Sequence, residues 1–140
     1  MVRRVDMSPR MRRLLGRVSA LRGVDAAVGL ADTGGVLVVL DQRGGSTRRE
    51  LDLDALEARE LAARLGQAAD AVDGRGASDP GAPSTGRSPG GRFEVRAQWP
   101  TVAVWLRDTA GPLEPGLDFT PGNARLLAAL LRQATDATQP

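Results

Sequence analysis

The sequence predicts an α+β protein. An N-terminal helix is followed by two duplicated βββα units, each an antiparallel meander closed by a helix, sharing one sheet or core about a pseudo-twofold axis. Three observations predict it. Residues 35–71 reappear without a gap as residues 101–137, and self-similarity at a fixed offset marks a repeated structural unit. Within that repeat, LDLDALEARELAARLGQAADA (Leu51–Ala71) and LDFTPGNARLLAALLRQATDA (Leu117–Ala137) agree at twelve of 21 positions, while Val36, Val38 and Leu40 match Val102, Val104 and Leu106 outside the helical stretch. Both copies also begin a helix at the same place with different residues. Asp54 with Glu57 three positions on is a capping box. Thr120 followed by Pro121 is a cap with proline at the first helical position.

The elements follow in order. Residues 1–23 read as a basic tail and a helix opened by Ser8-Pro9 and closed by Gly23, with Met11, Leu14, Leu15, Val18 and Leu21 as its apolar stripe. Arg10, Arg13 and Arg17 run beside that stripe at helical spacing. Residues 24–72 read as the first βββα unit. Val24, Ala26, Val28 and Leu30 alternate as in a half-buried strand, and Asp32-Thr33-Gly34-Gly35 turns the chain. Val36–Leu40 is unbroken apolar, as in a central strand. Arg43-Gly44-Gly45-Ser46 turns again, a short strand runs near Arg48–Leu53, and a helix extends from Asp54 to about Val72. Residues 73–91, DGRGASDPGAPSTGRSPGG, lack large apolar side chains and predict a flexible linker. Residues 92–138 read as the second unit: Phe93–Gln98, Thr101–Arg107, a strand near Gly116–Phe119 shortened by Pro115, and a final helix to about Ala137.

Composition bounds function. At 140 residues the chain fits one domain or two very small ones. It has no Cys or His, and all 19 basic residues are Arg. Disulfides, thiolate chemistry, the usual zinc ligation and lysine Schiff bases are therefore excluded. No cofactor and no metal site are predicted. A Lys-poor, Arg-rich chain matches a GC-rich bacterial genome. There is no apolar signal segment and no run long enough to span a membrane, so a cytoplasmic protein is expected. The charge is uneven: residues 1–22 carry +6 and residues 23–140 carry −4.

Candidate chemistry is sparse. Asp32-Thr33-Gly34 resembles the signature of aspartic proteases, in which two related halves each supply a carboxylate. The equivalent turn of the second copy, Gln98-Trp99-Pro100, has no acid, and Asp-Thr-Gly-Gly is an ordinary hairpin turn. A dimeric carboxylate hydrolase is thus a remote alternative. Asp52 and Asp118 are equivalent, and each precedes a helix, where negative charge is favoured. No catalytic residue is assigned, and the chain is expected not to be an enzyme. All four aromatics lie in the second unit. Trp105, in place of Val39, is expected in the core. Trp99 and Phe93 are the predicted partner-binding residues, since a partly exposed Trp is an interface anchor.

The order helix–βββ–helix over residues 8–72, with GGVLVVLDQRGGSTRRELDLDAL as hairpin and helix start, resembles the YbaB-type nucleoid-associated proteins. That resemblance implies a DNA-binding homodimer. The double-stranded RNA-binding domain has the same element order. It needs a basic start to its second helix, and here Asp54, Glu57 and Glu60 are acidic. Over the whole chain, αβββαββα is similar to the secretion-chaperone-like fold, which implies a dimeric, non-catalytic, partner-binding protein. The leading expectation is accordingly a protein-interaction module, an adaptor, chaperone-like or regulatory partner, acting as a homodimer. The alternative is a DNA-binding protein using Arg10, Arg13 and Arg17. A contiguous arginine face on the first helix favours the alternative, and an exposed apolar patch around Trp99 favours a protein partner.

Overall fold

The computed structural model describes residues 11–42, 48–75, 84–87, 93–108 and 111–138. Strands β1 (Met11–Ser19), β2 (Val24–Ala31), β3 (Val36–Gln42) and β4 (Arg48–Leu53) form one antiparallel sheet in sequential order, followed by helix α1 (Ala55–Arg75). Strands β5 (Ser84–Arg87), β6 (Phe93–Gln98), β7 (Thr101–Asp108) and β8 (Gly111–Phe119) form a second such sheet, followed by helix α2 (Pro121–Thr138). The class is mixed α+β with antiparallel sheets. The expected βββα unit is not what the structure contains: four strands precede each helix.

The predicted N-terminal helix is instead β1. Its apolar spacing imitates a helix because the strand is irregular. The pairing of β1 with β2 slips between Met11 and Arg13 and again between Leu14 and Gly16. Each slip inserts an unmatched residue and breaks the period of two. A three-residue 3-10 turn, Leu21–Gly23, follows, and both Arg22 and Gly23 take positive φ. Gly23 therefore closes a hairpin, not a helix. Gly16 and Gly29 hold β1 in place. A Cβ on Gly16 would sit 2.7 Å from Leu130 of α2, and one on Gly29 would sit 2.3 Å from the Arg13 carbonyl oxygen and 2.6 Å from Met11 Sδ. Neither contact is visible in a pattern of apolar letters.

The predicted linker also differs. α1 runs into it as far as Arg75, and β5 lies within it, paired to β6. Strand pairing uses backbone N–H and C=O groups, so an edge strand can form without apolar side chains. The rest of that segment, the Arg43–Ser46 turn and residues 1–10 lie outside the described residues. Pro115 does not shorten β8. Val104 pairs with Leu117 but Leu106 with Leu113, so Pro115 sits in an irregular stretch facing Trp105, where no ladder hydrogen bond is required of it.

Both helices cross to the other sheet. α1 packs mainly on β6, β7 and β5, while α2 packs on β1, β2 and β3. The helices also pack closely on each other, and Arg125 meets Asp70 while Arg132 lies near Gly66, so they run antiparallel. One continuous buried cluster draws on both sheets and both helices. A smaller cluster lies on the opposite face of the first sheet: Met11, Ala27, Ala31, Leu37 and Val39, with Leu14 against it. The small residues Ala27, Gly29 and Ala31 leave room on β2, and Met11 fills it.

The cap signals are realised as read. Glu57 N–H donates to Asp54 Oδ1 at 2.8 Å and Asp54 N–H to Glu57 Oε1 at 3.1 Å. Asn123 N–H donates to Thr120 Oγ1 at 3.1 Å, and the Asn123 amide reaches back to the Ser19 carbonyl at 3.0 Å. Asp54→Ala and Thr120→Ala should each destabilise the protein by about 1 kcal/mol, the usual cost of a lost cap. Urea unfolding curves with unchanged slope and lowered midpoint check this.

Candidate interaction surface

Side chains of β7 alternate between the two faces of the second sheet, with Ala103 buried on the outer side as well. Val102, Val104 and Leu106 of β7 point into the core, which leaves Thr101, Ala103, Trp105 and Arg107 on the other side. Trp105 is consequently 38% exposed, not in the core as expected. Its counterpart Val39 is buried in a cluster with Met11, Ala27, Ala31 and Leu37, with Leu14 packed against it. The indole lies against β8, where a Cβ on Gly116 would come within 2.8 Å of Trp105 Nε1. Above it, the Arg96 guanidinium stacks 5.4 Å from the ring centroid and donates from Nε to Glu94 Oε2 at 2.8 Å. The neighbouring strand thus fixes the orientation of Trp105, a cation–π contact of about 0.5–1 kcal/mol at an exposed site.

Trp99 is 54% exposed in the two-residue turn between β6 and β7. Val102 pairs with Phe119, so this turn lies at the same end of the sheet as the close of β8. There Arg22 reaches Asp118 at 3.9 Å, which brings the 44%-exposed Leu21 to that end. Leu21, Trp99 and Trp105 are three of the five large apolar side chains exposed among the described residues. Phe93, predicted beside Trp99, is only 2% exposed and packs in the core, where no partner can touch it. The sequence named Trp99, but Trp105 required knowing which face of β7 is covered.

The four sheet edges are poor templates for a further strand. β1 is twice irregular and carries Arg12 and Arg13, β5 has four residues, β4 reads RRELDL, and β8 contains Pro112 and Pro115. Such devices disfavour edge pairing.

The arginines predicted to line one helix face are split between the undescribed N-terminal residues and β1. Arg10 lies outside the described residues. Arg13 is opposite Leu30 and Arg17 opposite Ala27. Leu30 belongs to the main core and Ala27 to the outer cluster, so the two arginines belong to opposite sides of the sheet. A change of both to Gln should move no DNA affinity, because Arg13 and Arg17 lie on opposite sides of the sheet and share no phosphate-binding face. Gel-shift titration near physiological salt checks this. Salt-sensitive binding by the native chain that is lost in the double variant would contradict it.

The acidic candidates are occupied by structural roles. Asp32-Thr33-Gly34-Gly35 is the β2–β3 hairpin turn, with Gly34 at positive φ and Gly34 N–H donating to the Ala31 carbonyl. An open cavity of about 460 Å³ beside it is lined by Asp52, Asp54 and Glu57. Asp54 and Glu57 cap α1, and Asp52 accepts from Thr33 Oγ1 at 3.4 Å. Among the described residues no group of three or more acids could hold a metal ion, and no helix is long and apolar enough to cross a membrane.

No protein-family model matches the chain, and no curated protein matches it.

Proposed function

We propose that the chain is a non-enzymatic protein-interaction module that presents the outer face of its second sheet, anchored by Trp99 and Trp105, to a protein partner. The supporting observation is an asymmetry between two sheets of the same strand order. The outer face of the first buries Met11, Ala27, Ala31, Leu37 and Val39, whereas the second holds an exposed Trp105 under Arg96, with Trp99 and Leu21 exposed at one end of the same sheet. Trp and Arg are the residue types that dominate interface energetics. The repeat at an offset of 66 and the matching order ββββα–ββββα fit a duplicated unit with a pseudo-twofold axis. A cytoplasmic adaptor or chaperone-like role, with self-association through the same face, belongs to this reading.

The test uses the two tryptophans, the only ones in the chain. Affinity capture after nuclease treatment should retain a protein partner, and binding should shift tryptophan emission to the blue. Trp99→Ser with Trp105→Ser should abolish capture while the circular dichroism spectrum is kept. Retained capture by that variant, or a captured partner that nuclease treatment removes, would sink the proposal.

A further inference from the structure

The two ends of the α1–α2 pair are not alike. At one end Arg125 of α2 bridges Asp70 and Asp73 of α1, at 2.8 and 2.6 Å. Hydrogen bonds first to Asp70 and then to Asp73 raise its pKa further above the usual guanidinium value. The repeat offset of 66 maps Arg125 onto Arg59, Asp70 onto Asp136 and Asp73 onto Gln139. The other end therefore keeps the arginine and one acid but lacks the second acid. It also gains a cation: Arg132 occupies the position equivalent to Gly66, and its Nη2 would be 3.9 Å from a Cβ on Gly66. Among the described residues neither the Arg59 nor the Arg132 guanidinium makes a hydrogen bond or ion pair.

These two arginines line one cavity of about 460 Å³ with Leu56, Glu60, Ala63, Thr135 and Asp136. Its size is that of a small-molecule site. Glu60 lies 3.8 Å from Arg64, which offsets its charge, so Arg59 and Arg132 outweigh the one remaining acid of the lining, Asp136. Leu56, 67% exposed at the mouth, and Ala63 supply an apolar wall. We propose that this cavity between the start of α1 and the end of α2 binds a small organic anion, a carboxylate or phosphate ester on a short apolar body. The forked donors of arginine match the oxygens of both head groups, and Leu56 and Ala63 take the body.

The experiment is isothermal titration of the full chain with octanoate, hexyl phosphate, inorganic phosphate and uncharged hexanol. Saturable binding of octanoate or hexyl phosphate is expected, with inorganic phosphate and hexanol at least about tenfold weaker, since each lacks half of the recognition. Arg59→Gln with Arg132→Gln should weaken the anions by about tenfold or more, the scale of a lost charge-assisted hydrogen bond. Arg125→Gln, at the closed end, should leave binding unchanged and controls for folding. No saturable binding by the native chain, or equal binding by the Arg59/Arg132 variant, overturns the site. Inorganic phosphate binding as tightly as hexyl phosphate overturns the apolar part of the assignment.

Discussion

Neither half of this chain is expected to fold alone. Residues 1–75 contain the first sheet and α1, but the helix that covers that sheet is α2, from the other half. Val28, Leu30, Val36, Val38, Leu51 and Leu53 would then face water. Burial of each such side chain is worth about 1.5–3 kcal/mol. Uncovering these six removes about as much as the ~5–15 kcal/mol that stabilises an entire domain. Residues 76–140 lose α1 from β6 and β7 in the same way. Circular dichroism of each fragment should show little cooperative unfolding, and an equimolar mixture should recover a single transition. A first half that melts cooperatively as a monomer would show that α1 can fold back onto its own sheet.

Phe119→Ala should be the most damaging single substitution, at about 3–5 kcal/mol, the usual range for truncating a buried Phe. Phe119 is fully buried and pairs with Val102 one residue before the α2 cap. It joins the last strand to the core and to the helix start together. Trp99→Ala removes a larger side chain, yet it should alter stability by less than ~0.5 kcal/mol, because exposed surface positions rarely exceed that. Urea midpoints of the two variants decide the matter. A Trp99 variant as unstable as the Phe119 variant would mean that Trp99 packs in solution and cannot anchor a partner.

The sequence by itself determined the elements whose causes are local. Asp54 with Glu57 and Thr120 with Pro121 started the helices where they were read, because a cap needs only neighbours within one turn. Gly34 made its hairpin for the same reason. The alternation of β7 was legible too, although not which of its faces is covered. Tertiary structure decided the rest. β1 imitates a helix because two slips in its pairing to β2 restore a helical spacing of apolar letters, and those slips belong to the pairing with β2. β5 has no apolar signature because backbone pairing to β6 holds it. Trp105 is 38% exposed and Val39 buried, although the repeat equates them, because Val39 joins a buried cluster with Met11 and Leu37 whereas Trp105 lies against Gly116 and Arg96 at the surface. The exchange of helices between sheets leaves no mark on the letters, since an amphipathic helix shows only that one face is covered, and by which sheet is settled by packing across the whole chain.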